Sequence, residues 1–288
     1  MSRQTPSLSF EVFPPNPAVG NDNIISALQD MQELAPHFIS VTASNNKFNI
    51  KETTVRLADF IQNDLAIPTI AHLPAIYLTK DKVAETIADL DKVGVQKILA
   101  LRGDIIPDVE PQKDFRYATD LIEFIKEQAP HFDIVGACYP EGHPDSPNQI
   151  SDIQNLKKKV DAGCSSLVTQ LFFDNERFYD FQDKCILAGI DVPIHAGIMP
   201  ILNRNQALRL LKTCENIHLP RKFKAILDKY ERDPESLRAA GLAYAVDQIV
   251  DLVTQDVAGV HLYTMNNADT AKHIHQATHA LFNHQSLG

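Results

Sequence analysis

The sequence has no CxxC pair, no GxGxxG, no membrane-length apolar run and no basic excess, and each absence closes off a class of function. Its cysteines, Cys138, Cys164, Cys185 and Cys214, show no metal-ligand spacing. They read as reduced thiols of core or surface, and no metal is expected. Without GxGxxG, a dinucleotide would not be gripped in the Rossmann manner. No stretch approaches the roughly 18 apolar residues of a spanning helix, so no membrane partner is expected. The opening residues, MSRQTPSLSFEVF, carry no apolar leader ahead of the first expected strand, and a cytoplasmic enzyme is the expectation. Lys and Arg number 27 against 37 Asp and Glu, a formal charge of −10. That sign is opposite to a nucleic-acid footprint, so no nucleic-acid partner is expected. With no repeat, linker or low-complexity tract, 288 residues at 44% hydrophobic composition are expected to form one barrel-sized domain over 1–288. Composition leaves open whether the chain assembles as a homo-oligomer.

What is present is an unbroken alternation. Short apolar strands are expected over 8–13, 38–43, 69–73, 97–101, 134–139, 167–173, 193–198 and 260–264. Helices are expected over 23–34, 52–63, 80–93, 118–127, 151–163, 176–188, 206–214 and 270–281, with an extra helical stretch over 221–257 before the eighth strand. The fifth helix illustrates the reasoning: Ile153, Leu156 and Val160 fall at helical spacing, Ser151 or Asp152 caps the start, and Gly163 stops it. Strand–helix–strand units imply parallel strands. Eight in succession point to a closed (β/α)8 TIM barrel of the α/β class. An open doubly wound sheet shares the pattern and stands as the alternative.

In a barrel the loops after the strands build the active site, and strand residues alternate between interior and helix layer. Leu8, Phe10 and Val12 suit the helix layer, which turns Glu11 inward with Ser9 and Phe13. A carboxylate there is costly unless paired, so its pKa should rise, as a general acid requires; neutralisation by an interior Arg is the alternative. Arg102 and Asp104 flank Gly103 on one side of strand four and could form an ion pair across the barrel mouth. Ser40, Thr42 and Ser44 form an unusually polar inward set, and His72 ends strand three. Tyr139 and His143 belong to the loop YPEGHP, where a tyrosine can stack or hydrogen-bond a ring. Lys157, Lys158 and Lys159 cannot all face one way, so at most two serve a ligand. Gln170 is an inward amide that needs partners, and Tyr263 ends strand eight.

The segments FEVFPP, SVT, ALRGD, YPEGHP, NLKKKVDAG and TQLFFD, in this order, resemble the bacterial methylenetetrahydrofolate reductase family from about Ser9 to the last helix. The resemblance implies a flavoenzyme on a (β/α)8 barrel. It would bind noncovalent FAD, take NADH or NADPH as co-substrate, and reduce 5,10-methylenetetrahydrofolate to 5-methyltetrahydrofolate. One face used in turn by two substrates implies ping-pong kinetics. By the same resemblance, Glu11 is the acid that opens the folate imidazolidine ring, and Asp104 lies near flavin and folate. Thr42, His72, Arg102, Gly103, Tyr139 and His143 fall at cofactor positions. Asp152, Asn155, Lys158 and Lys159 match contacts to its adenosine and pyrophosphate. Gln170 would bond the pterin, and Arg204 and Tyr263 fall at substrate positions. Two residues depart from the best-known relatives: Arg204 replaces a phenylalanine that stacks on nicotinamide and folate, and Asn267 replaces an arginine near the glutamate tail. The departures bear on the hydride donor, so electrons from a partner redox protein form the alternative. A non-catalytic flavin- or folate-binding barrel is another.

Overall fold

The computed structural model describes residues 5–15, 22–43, 50–213 and 216–282; Ser44 and Cys214 lie outside them. Its strands are Ser7–Val12 (β1), Ile39–Val41 (β2), Thr69–Pro74 (β3), Lys97–Leu101 (β4), Asp133–Cys138 (β5), Cys164–Thr169 (β6), Ile194–Ile198 (β7) and Gly259–Tyr263 (β8). They form a closed barrel in sequence order. The open-sheet alternative is overturned, because an open sheet leaves its first and last strands paired on one side only, and β1 here has a neighbour on both. Instead it pairs in parallel with β8 from Ser7↔Gly259 to Glu11↔Tyr263, and with β2 through Glu11↔Ser40.

Around the barrel lie Asp22–Gln32 (α1), a segment α2 whose end turns Lys51–Val55 and Phe60–Asp64 are wound as π-helix about Arg56–Asp59, Lys80–Lys92 (α3), Ala118–Gln128 (α4), Gln149–Asp161 (α5), Asn175–Leu187 (α6), Arg204–Thr213 (α7), Arg221–Lys229 (α8), Pro234–Thr254 (α9) and Ala268–Phe282 (α10). The extra stretch before β8 is therefore two helices. Asp233 divides them: its side chain accepts from Ser236 N at 3.1 Å, and Pro234 takes the first helical position. The cap of α5 is Asn148, whose Oδ1 accepts from Ser151 N at 2.9 Å, so Ser151 and Asp152 sit inside the helix instead of at its start.

Strand six also ends earlier than its apolar run. After Thr169 the chain leaves the barrel, because Leu171 and Phe173 are buried outside it in a cluster with Leu210 of α7, Phe223 of α8 and Tyr244 of α9. Phe173 stacks on Phe223 at 4.5 Å between centroids.

The barrel interior divides in two. On one side Ile70, Leu99, Val135 and Val168, from β3 to β6, form a small apolar cluster separate from the main core. On the other, β1, β2 and β8 turn Ser9, Ser40 and His261 inward, all buried. Leu8, Phe10 and Val12 face the helices and are buried in the main core. Among the described residues, no helix is long and apolar enough to cross a membrane.

Candidate active site

Register brings the first group of polar residues together. Ser9 pairs with His261, and Glu11 pairs with both Ser40 and Tyr263. Their side chains therefore share the barrel's interior layers. His261 lies between two hydroxyls, with Nδ1 2.8 Å from Ser9 Oγ and Nε2 2.9 Å from Ser40 Oγ. Phe38 stacks on its ring at 5.4 Å. Glu11 Oε2 lies 3.6 Å from His72 Nε2 and 3.9 Å from His261 Nε2, while about 21% of its side chain stays open to the mouth.

No ion pair exists here, despite the short separations. Burial raises the Glu11 carboxyl to about 8 and lowers His72 to about 3. Burial likewise holds His261 well below its ordinary value. At pH 7 the three groups are neutral. The carboxyl is thus raised, as alternation along β1 leads one to expect, but among the described residues no interior arginine neutralises it and two uncharged imidazoles stand beside it.

The second group lines a cavity of about 500 Å³ between the ends of β4 and β5, the start of α4, and α5. Arg102, Tyr139, His143, Asp152, Asn155, Lys158 and Lys159 all reach it. Tyr139 and His143 meet edge to face at 4.6 Å. Arg102 does not pair with Asp104; its Nη1 meets Asp145 Oδ2 at 2.7 Å. The strand ends at Leu101, so alternation no longer governs the residues beyond it. Gly103 turns the chain at φ +93°, where an added Cβ would come within 3.0 Å of Pro74 Cβ. Asp104 then emerges exposed.

The carboxylates of this cavity are engaged: Asp152 accepts from Ser146 Oγ at 2.9 Å, and Asp120 accepts from the backbone N of Arg116 and Tyr117, each at 2.8 Å. Lys159, half-buried, donates to the Ala137 carbonyl, and burial lowers its pKa. Lys158 is exposed and reaches Asn155 Oδ1 at 3.3 Å. Lys157 turns away to Asp161.

The remaining candidates lie elsewhere around the mouth. Thr42 follows β2, its N donating to Val12 O at 2.9 Å and its carbonyl accepting from Thr54 Oγ1 at 3.1 Å. Gln170 lies just beyond β6 and does not project from within it; its side-chain Oε1 accepts from Leu171 N at 2.9 Å. Tyr263 OH donates to Thr169 O at 2.6 Å, and its ring leaves no room for a Cβ on Gly197. Arg204 opens α7 and pairs with Glu231 at 2.5 Å. Asn267 caps α10, its Oδ1 accepting from Thr270 N at 2.8 Å.

Sequence reasoning missed His261, although alternation with Tyr263 along β8 carried the signal. It also passed over Asp145, for which no spacing rule gives a partner, and Glu141 of YPEGHP. Glu141 accepts from His218 N at 3.0 Å, and burial raises its carboxyl to about 7.

The methylenetetrahydrofolate reductase family model matches residues 1–279. The 5,10-methylenetetrahydrofolate reductase of Escherichia coli is 35% identical over 263 residues, covering 91% of this chain and 87% of that one. Its Pectobacterium carotovorum counterpart is 34% identical with the same coverage. Methylenetetrahydrofolate reductase (NADH) 1 of Arabidopsis thaliana is 32% identical over 274 residues, 90% of this chain and 46% of the plant protein. Among solved structures, a Clostridium thermocellum protein that binds two copies of 5-methyl-5,6,7,8-tetrahydrofolic acid superposes with a TM-score of 0.68 at 12% identity, over 97% of this chain and 96% of that one. That likeness speaks to the fold alone.

Proposed function

The chain belongs to the methylenetetrahydrofolate reductase family, and from that premise we propose that one barrel domain reduces 5,10-methylenetetrahydrofolate to 5-methyltetrahydrofolate, with noncovalent FAD, NADH or NADPH as donor, and ping-pong kinetics. The observation that carries the reading is Glu11, a carboxyl neutral at pH 7 that faces the barrel mouth. Opening the imidazolidine ring requires a proton on the departing nitrogen, and the resulting iminium carbon is what accepts hydride. A pure binding protein has no need of such a donor, whereas an acid with a pKa near the working pH is suited to the step.

The cavity beside α5 fits the cofactor. Tyr139 and His143 supply ring faces and edges, while Arg102, Lys158 and Lys159 supply the positive charge that a diphosphate needs. Asp145 holds Arg102 in the meantime, so a diphosphate would exchange with that carboxylate. When bound, FAD supplies the two-electron transfer between nicotinamide and folate. Gln170, at the end of β6, offers the pterin an amide edge. A protein electron donor is the second reading, favoured by Arg204, which is turned to Glu231 where a stacking ring would hold a nicotinamide.

Glu11→Gln tests the assignment, because an amide keeps the shape but has no carboxylic proton. Stopped-flow traces should show flavin reduction by NAD(P)H within about twofold of the parent while folate reduction falls by about two to four orders of magnitude. If both half-reactions fall together, Glu11 is structural and the acid lies elsewhere.

A further inference from the structure

Glu11 Oε2 sits at the partly open mouth of the barrel, about 21% of the side chain being exposed. Two ring nitrogens face it, His72 Nε2 from β3 and His261 Nε2 from β8. His261 is already engaged at both ring nitrogens, Nδ1 by Ser9 Oγ at 2.8 Å and Nε2 by Ser40 Oγ at 2.9 Å. His72 Nε2 is left: it is buried and without a hydrogen-bond partner among the described residues. A buried nitrogen without a partner, 3.6 Å from a carboxyl oxygen, is placed to close on it.

We propose that His72 is a positioning residue for the acid: its Nε2–H donates to Glu11 Oε2, which leaves the acidic proton on Oε1, aimed out of the mouth at folate. The present 3.6 Å closes by a few tenths of an ångström, as catalytic hydrogen bonds commonly do when substrate arrives. The same N–H then stabilises the carboxylate left after the proton is given. The titratable groups around Glu11 are His72, His261 with Tyr263 on the same strand, and His195 behind His261, and the histidines are neutral at pH 7. Loss of the His72 N–H is therefore not made good by a neighbouring charge. The proposal rests on Glu11 being the acid.

The test compares holoenzyme variants in which His72 becomes Phe or Leu, which lack a donor, and Gln, whose amide N–H replaces Nε2–H. Isotope-edited infrared titration of the Glu11 carboxyl, assigned by its loss in Glu11→Gln and run with 5-methyltetrahydrofolate bound so that the contact is closed, reads the effect without turnover. The apolar variants should raise the Glu11 pKa by about one unit, roughly the loss of one hydrogen bond to the carboxylate. They should also slow the folate half-reaction about tenfold, and its pH profile should shift with the carboxyl. His72→Gln should recover most of the lost rate and the parental titration. A pKa that stays put in both apolar variants, or in whichever of them folds, overturns the proposal; so does one that falls, which would make Nε2 an acceptor. If Glu11→Gln itself spares folate reduction, the acid assignment fails first. If Glu11→Gln abolishes it while the His72 variants change nothing, the positioning role alone is wrong.

Discussion

At Glu11 a carboxyl is kept protonated by its surroundings, and that preference is a property of the folded protein that unfolding must release. Its pKa is 4.5 when solvated and about 8 when folded. A raised folded pKa means that stability is fully present below about 4.5 and is lost as pH climbs through about 8. His72 runs the other way, losing stability as pH falls from 6.5 through about 3. Glu11→Gln removes only the first dependence. Urea unfolding of both proteins from pH 5 to 9 should show the variant gaining on the parent as pH rises, by on the order of 1 kcal/mol or more. A stability difference that does not change with pH would mean that Glu11 is solvated and ionised in the fold. The inward setting of Glu11 was legible because Leu8, Phe10 and Val12 left it no other face. Its partners were not, since which histidine of β3 or β8 arrives beside it depends on register across the barrel. Periodicity within one strand does not contain that information.

At the scale of elements, α5 is the piece whose chemistry is most specific. Asn148 starts it, its first turn carries Asp152 and its second Asn155 to the cavity, and Lys158 and Lys159 come one turn later. A flavin without an adenosine diphosphate would leave those lysines without a purpose. The protein should therefore yield FAD rather than FMN when heat-released flavin is chromatographed. Finding FMN, or a colourless protein that ignores added FAD, would remove the reason for assigning α5 to a cofactor. Strand β4 was legible to its ends because Lys and Arg bracket its apolar run. Strand β6 was not, because Leu171 and Phe173 continue the apolar run while serving a cluster outside the barrel. Asn267 shows a similar ambiguity: read by family position it is a lost arginine, and read by structure it is the cap that starts α10. Arg204 falls by family position at the substrate site, but Glu231, 27 positions further on, already pairs with it.

For the whole molecule, the closed barrel is what makes the site possible. Closure lets β8 deliver His261 and Tyr263 beside residues from β1, more than 250 positions earlier in the chain. The apolar cluster from β3 to β6 fills one part of the interior, and Glu11 with the histidines of β3 and β8 fills another, where burial rather than a counter-charge sets their protonation. That division explains how a barrel of this family carries a neutral carboxyl at its centre. The most direct measurement of the account is product formation. Purified protein with its bound cofactor would be mixed anaerobically with 5,10-methylenetetrahydrofolate and either NADH or NADPH, and 5-methyltetrahydrofolate followed by chromatography. The account predicts catalytic turnover with at least one nicotinamide and its loss in Glu11→Gln. Product that appears only when a protein electron carrier is added would contradict the assigned donor, and no product with cofactor bound and a carrier present would contradict the central claim.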